Sequence, residues 1–163
     1  EVDNIVVLHL ESDALKLKVI RAEFPKIISH EKKGYASSEV RAKYAATNVF
    51  GEAGTVVEEG ARHKLSWIPS ARDKQPWLAV DLGKEMSFDQ LEVREQVRLV
   101  RTREFTLQYK KADKWVTFFQ GTNPGLDFVV KFKPIVACHV RMLFNKVEYG
   151  VPSISYFKVY ESK

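Results

Sequence analysis

The segment Gln75-Pro76-Trp77-Leu78-Ala79-Val80-Asp81-Leu82-Gly83 constrains the fold more than any other part of the chain. It has the length of a strand, is apolar on both faces from Leu78 to Leu82, and closes on a turn-forming glycine. That pattern reads as a strand covered on both sides at the centre of a β-sandwich. A second strand-like run, Phe88 to Glu95, follows at once. Arg103 to Lys110 then alternates without an error, putting Phe105, Leu107 and Tyr109 on a core face and their neighbours in water. Trp115 to Gln120, Phe128 to Phe132, Ala137 to Phe144 and Ile154 to Tyr160 continue the pattern. Their separators are Ala112-Asp113, Thr122-Asn123-Pro124-Gly125, Lys133-Pro134 and Tyr149-Gly150-Val151-Pro152. About eight short strands with no helical period between them leave no material for parallel crossovers. The expected class is all-β, an antiparallel sandwich or jelly roll.

Upstream, Ile5 to Leu10 and Ala14 to Ile20 are strand patterns around the polar spacer Glu11-Ser12-Asp13. They predict a hairpin, and the alternation of Leu15, Leu17 and Val19 gives it one apolar face. A lone hairpin is marginal in water, so residues 1–24 are read as the tail of a preceding domain, and residues 25–163 as the main domain. Pro25 and Gly34 interrupt the next segment, and Ser38 to Ala46 has room for about two helical turns. Gly51, Gly54 and Gly60 mark irregular loops of the kind that carry binding function or structural ions.

With 163 residues the chain can bury one good core and is too short for two. It opens at Glu1 rather than Met, so it is read as a fragment or processed product, without a signal-peptide pattern of its own. No run approaches the ~18 to 20 apolar residues of a membrane span. The formal charge of +5 raises the question of an anionic partner. Lys16, Lys18, Lys110, Lys131 and Lys133, however, fall on the outward positions of strands, which is a solvated face, and no nucleic-acid interface is expected. The exception is Arg94, Arg98, Arg101 and Arg103, four arginines in ten residues around one loop. The single Cys138 excludes an internal disulfide and reads as a small buried hydrophobe in an apolar strand.

Catalysis finds no support in the residues. Glycoside hydrolysis needs two carboxylates flanking a sugar, and Glu52, Glu58 and Glu59 share a loop with nothing to pair them across a pocket. His9, His30, His63 and His139 show no metal-ligand spacing and no G-x-S-x-G companion, so neither a zinc site nor a serine hydrolase is indicated. His139 is expected on a strand face as a packing or surface residue.

An ordered series of segments carries a resemblance. Trp77 to Lys84, Phe88-Asp89-Gln90-Leu91, Phe105 to Tyr109, Trp115, Gly121-Thr122, Val140-Arg141-Met142 and Pro152-Ser153-Ile154-Ser155 to Tyr160 resemble the coagulation factor 5/8 type C, or discoidin-like, domain. Its carbohydrate-active members form carbohydrate-binding module family 32. The resemblance runs from about residue 33 to 161 and implies a galactose-binding-like antiparallel jelly roll whose loops at one end hold a ligand. Asn4 to Leu10, Asn48-Val49-Phe50 and the extended loop from Glu95 to Arg101 are also similar to the C-terminal region of bacterial family 29 α-L-fucosidases. The catalytic barrel of such an enzyme needs roughly 250 residues of strand–helix alternation, which this chain lacks.

The resemblance implies a non-catalytic carbohydrate-binding module, the ancillary C-terminal domain of a secreted glycoside hydrolase such as an α-L-fucosidase. Its place would then be extracellular or periplasmic. Its partners would be a galactose- or fucose-containing glycan and the catalytic domain of the parent chain. A sugar presents an apolar face and a polar rim, so its site combines an aromatic platform with directed polar groups. Glu95, Arg98 and Arg101 supply the polar half. Tyr149 or Trp67 supplies the platform, although Trp67 also reads as packing, and Arg72 completes the candidate set. Two alternatives stand beside this reading: a structural domain that packs on the parent's catalytic domain and shapes its active site, and a module for anionic lipid or sulfated glycan using the arginines with Leu99, Val100 and Val151.

The family's usual calcium site comprises an acidic Asp-Gly loop before the Trp and a Glu in the last strand. Here the loop reads Glu58-Glu59-Gly60-Ala61-Arg62-His63-Lys64, and Tyr156 stands in the position of the Glu. Calcium requires oxygen ligands with negative charge, so no cofactor is expected, and Glu58, Glu59 and backbone carbonyls are the groups that would hold an ion.

Overall fold

The computed structural model describes residues 6–9, 18–21, 25–51 and 66–163. Among the described residues eight strands run in the order β1 (Val6–His9), β2 (Lys18–Arg21), β3 (Lys33–Ala36), β4 (Trp77–Glu95), β5 (Thr102–Lys111), β6 (Lys114–Thr122), β7 (Phe128–Val147) and β8 (Ile154–Glu161). β1 and β2 pair antiparallel, with Val6 opposite Arg21, as the predicted hairpin requires. The apolar alternation of Leu15 and Leu17, and the acidic loop with Glu52, Glu58 and Glu59, lie outside the described residues. The segment expected to hold about two helical turns forms two 3₁₀ turns, Ala42–Tyr44 and Ala46–Val49.

The other six strands form a sheet in the order β3-β4-β7-β5-β6, with β8 also on β4, and every pairing is antiparallel. The fold is the galactose-binding-like β-sandwich. Its two layers arise because β4 and β7 are long strands that bend. The first half of β4 lies between β3 and the second half of β7; its second half lies between β8 and the first half of β7.

The sequence divides each of these long strands in two, and the structure does not. Gly83 bends β4 instead of ending it: its φ is +84°, and its N–H donates to Asp81 Oδ1 at 2.8 Å, a local turn inside a continuous strand. Pro134 likewise stands inside β7 rather than between strands, where the register shifts between the pairs Phe88–Ile135 and Gln90–Lys131. A residue without an N–H costs nothing at an unpaired position. Ala112 and Asp113, with φ of +44° and +62°, make the two-residue turn joining β5 to β6.

The core lies between the two halves. Leu78, Ala79, Val80 and Leu82 are all buried, as the two-sided apolar pattern predicts for a central strand. Phe105, Leu107, Val140 and Met142 lie beside them in the same layer, and Leu91, Val93, Phe157 and Val159 come from the other layer. Cys138 departs from its expected place. It is half-buried, off the core face, with Sγ 3.3 Å from Asp81 Oδ1.

Candidate functional site

Three connections meet at one end of the sandwich: residues 96–101 between β4 and β5, 123–127 between β6 and β7, and 148–153 between β7 and β8. Backbone hydrogen bonds hold them together, from Glu95 to Gly125 (2.8 Å), Gln96 to Ser153 (2.9 Å) and Glu148 to Arg101 (2.9 Å). Ser153 Oγ adds a bond to Gln96 Oε1 at 2.9 Å.

Glu95 anchors the first of these loops. It is fully buried, and its Oε1 accepts from Arg101 N (3.0 Å), Thr102 N (2.9 Å) and Thr102 Oγ1 (2.7 Å). Oε2 is buried without a hydrogen-bond partner among the described residues. The expectation that Glu95 meets the ligand is therefore corrected. Its carboxylate is spent on turning the chain from β4 into β5, and its bond to Arg101 goes to the backbone.

The four arginines separate into two kinds. Arg94 donates to Leu126 O and Asp127 Oδ1, each at 2.6 Å, and Arg103 donates to Glu148 Oε2 at 2.8 Å. These two pin loops 123–127 and 148–153 to their strands. Among the described residues no side-chain acceptor meets Arg98 or Arg101. Arg98 is exposed, whereas Arg101 is half-buried with its guanidinium against Gly150. A half-buried guanidinium without an acceptor has donors to offer a ligand.

Beside Gly150, Tyr149 is 86% exposed, with φ at +59°. The same end exposes Val97 (70%) and Val100 (37%). An uncovered phenol ring near the Arg101 guanidinium, which meets no side-chain acceptor among the described residues, supplies both halves of a sugar contact, an apolar face and a set of directed donors. Leu99 and Val151 are half-buried.

Trp67 corrects the second expectation. It is fully buried, bridged to Ile154, stacked at 5.5 Å on Phe144, and its Nε1–H donates to Ser38 O at 3.0 Å. A ring with both faces packed cannot be a platform. Arg72 is exposed on the turn between Trp67 and β4. Asp73 fixes that turn by accepting from Ser37 Oγ (2.5 Å), Ser38 Oγ (2.6 Å) and Gln75 N (3.1 Å). Burial raises the Asp73 carboxyl, and these three bonds outweigh it, leaving it below the usual carboxylate range. No contact joins Arg72 to Arg101 or Tyr149 among the described residues.

Of the calcium-holding pattern, the last-strand position is described. Tyr156 Oη donates to Glu92 Oε1 at 2.7 Å, and burial pushes the phenol up to about 12. A neutral phenol committed as a donor brings no charge to a hard cation, so the described half of that pattern does not fit calcium.

Sequence reasoning missed an aromatic cluster on the outer face of the sheet. The Arg141 guanidinium stands 4.2 Å from the Trp115 ring centroid and 5.8 Å from that of Trp77, and Nε donates to Gln108 Oε1 at 2.7 Å. Tyr35 meets Trp77 edge-on at 5.7 Å. Trp77 alternates with the buried Leu78, and that period of two is the signal that places it outside.

Residues 32–157 match the family described as F5/8 type C domain. No curated protein matches the chain in sequence. Among solved structures, the family 32 carbohydrate-binding module from C. perfringens NanJ, in complex with galactose, is 19% identical with a TM-score of 0.69, covering 85% of this chain and 100% of that one. Chitosan-binding module 1 of a chitosanase/glucanase from Paenibacillus sp. IK-5 gives 19% identity and a TM-score of 0.70 over 83% of this chain and 98% of that one. A Ruminococcus gnavus GH29 fucosidase in complex with fucose gives 19% and 0.68 over 85% of this chain. Only 27% of the fucosidase is covered, so the likeness is to one part of a larger enzyme. With the profile spanning most of its length and the sandwich of these modules in its structure, the chain belongs to the F5/8 type C domain family.

Proposed function

We propose that this chain is a non-catalytic carbohydrate-binding module, the ancillary C-terminal domain of a secreted glycoside hydrolase resembling an α-L-fucosidase, acting outside the cell or in the periplasm. Its ligand is a galactose- or fucose-containing glycan. The observation that carries the reading is Arg101: half-buried, without a side-chain acceptor among the described residues, and packed against the turn that presents Tyr149. Arg94 and Arg103, by contrast, are used up by Asp127 and Glu148. Arg101 donates to sugar hydroxyls, Tyr149 packs on the apolar face of the ring, and Arg98 reaches the rim. Glu95 holds the loop that carries both arginines. The sugars named in the galactose and fucose complexes support the choice of ligand class, and the partial match to the fucosidase supports the parent enzyme.

Single module–sugar contacts are weak, with ~mM to µM affinity, so a few directed hydrogen bonds dominate. Galactose- or fucose-containing glycans are expected to perturb the NMR amide signals of residues 95–101 and of Tyr149. Arg101→Ala should weaken binding by at least ~1 kcal/mol, the scale of a charge-assisted hydrogen bond. If no glycan on a broad array binds at high protein concentration, the domain serves its parent by packing on the catalytic domain instead. A second reading rests on Val97 and Val100 exposed beside Arg98, which suit an anionic lipid or sulfated glycan. Binding confined to such polymers, and lost near 0.3 M salt where screening acts over roughly 5 to 6 Å, would select it.

A further inference from the structure

Away from the loop end, β7 breaks its own alternation. Ala137 and Val140 are both in the core, although residues three apart on a regular strand face opposite ways. The register shows the cause: Asp81 pairs with His139, and the next pair along is Met86 with Ala137. At this irregularity β4 inserts residues 82–85 opposite Cys138 alone, and Cys138 and His139 both leave the core face. Both then meet one carboxylate. Cys138 Sγ lies 3.3 Å and His139 Nδ1 3.9 Å from Asp81 Oδ1, and the ligand atoms of the three residues lie within 4.8 Å of one another. Tyr35 Oη is 3.1 Å from the same Nδ1, and Gly83 N–H orients Oδ1 from behind at 2.8 Å.

We propose that Asp81, Cys138 and His139 form a binding site for a divalent transition-metal ion of the zinc type, with the fourth ligand position open to solvent. Bond lengths of ~2.3 Å to sulfur and ~2.0 Å to nitrogen and oxygen set tetrahedral ligand atoms about 3.3 to 3.5 Å apart. The trio thus needs a closure of about an ångström. Thiolate, imidazole and carboxylate together suit zinc or cobalt, whereas calcium and magnesium want oxygen alone. All three residues are half-buried, which leaves an entry path from solvent. Binding replaces the thiol proton and the Tyr35 contact at Nδ1, and the proton leaves to water. The hydrogen bond from Gly83 keeps the carboxylate aimed, the usual task of a group behind a ligand. The ion would bolt β4 to β7 where their register is broken. The site is separate from loops 96–101 and 148–153, so it stands or falls independently of glycan binding.

The test uses the whole chain, reduced and stripped with chelator, then titrated with cobalt(II). A thiolate-to-cobalt charge-transfer band and visible bands of tetrahedral intensity should appear at one equivalent and be discharged by zinc(II). Zinc should also raise the melting temperature, since it binds the folded state. Cys138→Ser should abolish the charge-transfer band, and His139→Asn and Asp81→Asn should each weaken cobalt binding by at least about tenfold. Circular dichroism checks that each variant folds, and the two other ligand variants decide the matter if Cys138→Ser does not. A native chain that gives no such band, or a band that persists unchanged in both His139→Asn and Asp81→Asn, overturns the site.

Discussion

The guanidinium of Arg101 packs against the backbone of Gly150, where a Cβ would stand 2.9 Å from Nη1 and 3.3 Å from Cζ. Gly150 also holds φ at +131°, a conformation L side chains rarely adopt. Gly150→Ala therefore strains the turn and displaces the guanidinium at once. We expect it to cost about 1–3 kcal/mol in urea unfolding and to weaken glycan binding as much as Arg101→Ala does. Arg101→Ala itself should leave the urea midpoint nearly unchanged, because no described side chain accepts from its guanidinium. A Gly150→Ala chain with native glycan affinity would show that the guanidinium's position does not matter.

Glu95 makes a different prediction, about order rather than contact. Its Oε1 collects the donors of Arg101 N, Thr102 N and Thr102 Oγ1 in a fully buried place. Glu95→Ala strands all three, at roughly 1–3 kcal/mol for each donor that water cannot reach. We expect a loss of about 3 kcal/mol and broadened amide signals over residues 96–101. Glu95→Gln keeps a carbonyl oxygen for the three donors, loses the charge and places an amide NH2 where Oε2 has no described partner, so it should cost less than Glu95→Ala. Equal losses in the two variants would mean that the charge, not the acceptor geometry, holds the loop.

The strands were legible where a local period decides them. Phe105 and Leu107 are buried as their alternation requires, although Thr106 between them is buried as well, and Leu78, Ala79, Val80 and Leu82 are covered while Asp81 stays half-buried. The continuity of β4 through Gly83 was not legible, because a glycine with positive φ ends one strand and bends another, and the neighbouring strand decides which. Cys138 reads as a core residue until the bulge turns it out. That bulge belongs to the pairing of Asp81 with His139, 58 positions away in the sequence. The arginine loop was found by its composition, but its division into committed and free side chains depends on Asp127 and Glu148 in other loops. Glu95 reads as a surface group because two of its three partners are backbone N–H groups, which leave no mark on a sequence.

Glu92 contributes to the acid limb of stability. It accepts from Tyr156 Oη at 2.7 Å and from Tyr160 Oη, with Lys158 Nζ at 3.6 Å. Burial raises its carboxyl, but the two phenols and Lys158 outweigh it, so the pKa in the folded chain lies below the ordinary glutamate value. The folded state then binds the proton less readily than the unfolded one. Its contribution is present above the ordinary value and is lost as pH falls through the folded value. Glu92→Gln should be less stable than the native chain near neutral pH, and the gap should close in acid. Urea midpoints measured across that range decide it; a gap that stays constant would remove Glu92 from the acid response.

Trp67 separates packing from recognition. Its ring is fully buried against Phe144, and its N–H is matched to Ser38 O at 3.0 Å. Trp67→Phe keeps an aromatic ring but leaves a void and strands the Ser38 carbonyl, losses that together should amount to about 2–4 kcal/mol. A sugar platform would behave in the opposite way: phenylalanine would preserve much of the stacking, stability would barely change, and affinity would fall. We expect the urea midpoint to drop while glycan affinity stays within about twofold, well under the ~1.4 kcal/mol that a tenfold change represents. Tyr149→Ala should give the mirror image, since a ring that is 86% exposed contributes little to folding and offers its whole face to a ligand. Reversal of the two outcomes would move the aromatic platform back to Trp67 and require the loop before β4 to open when the sugar binds.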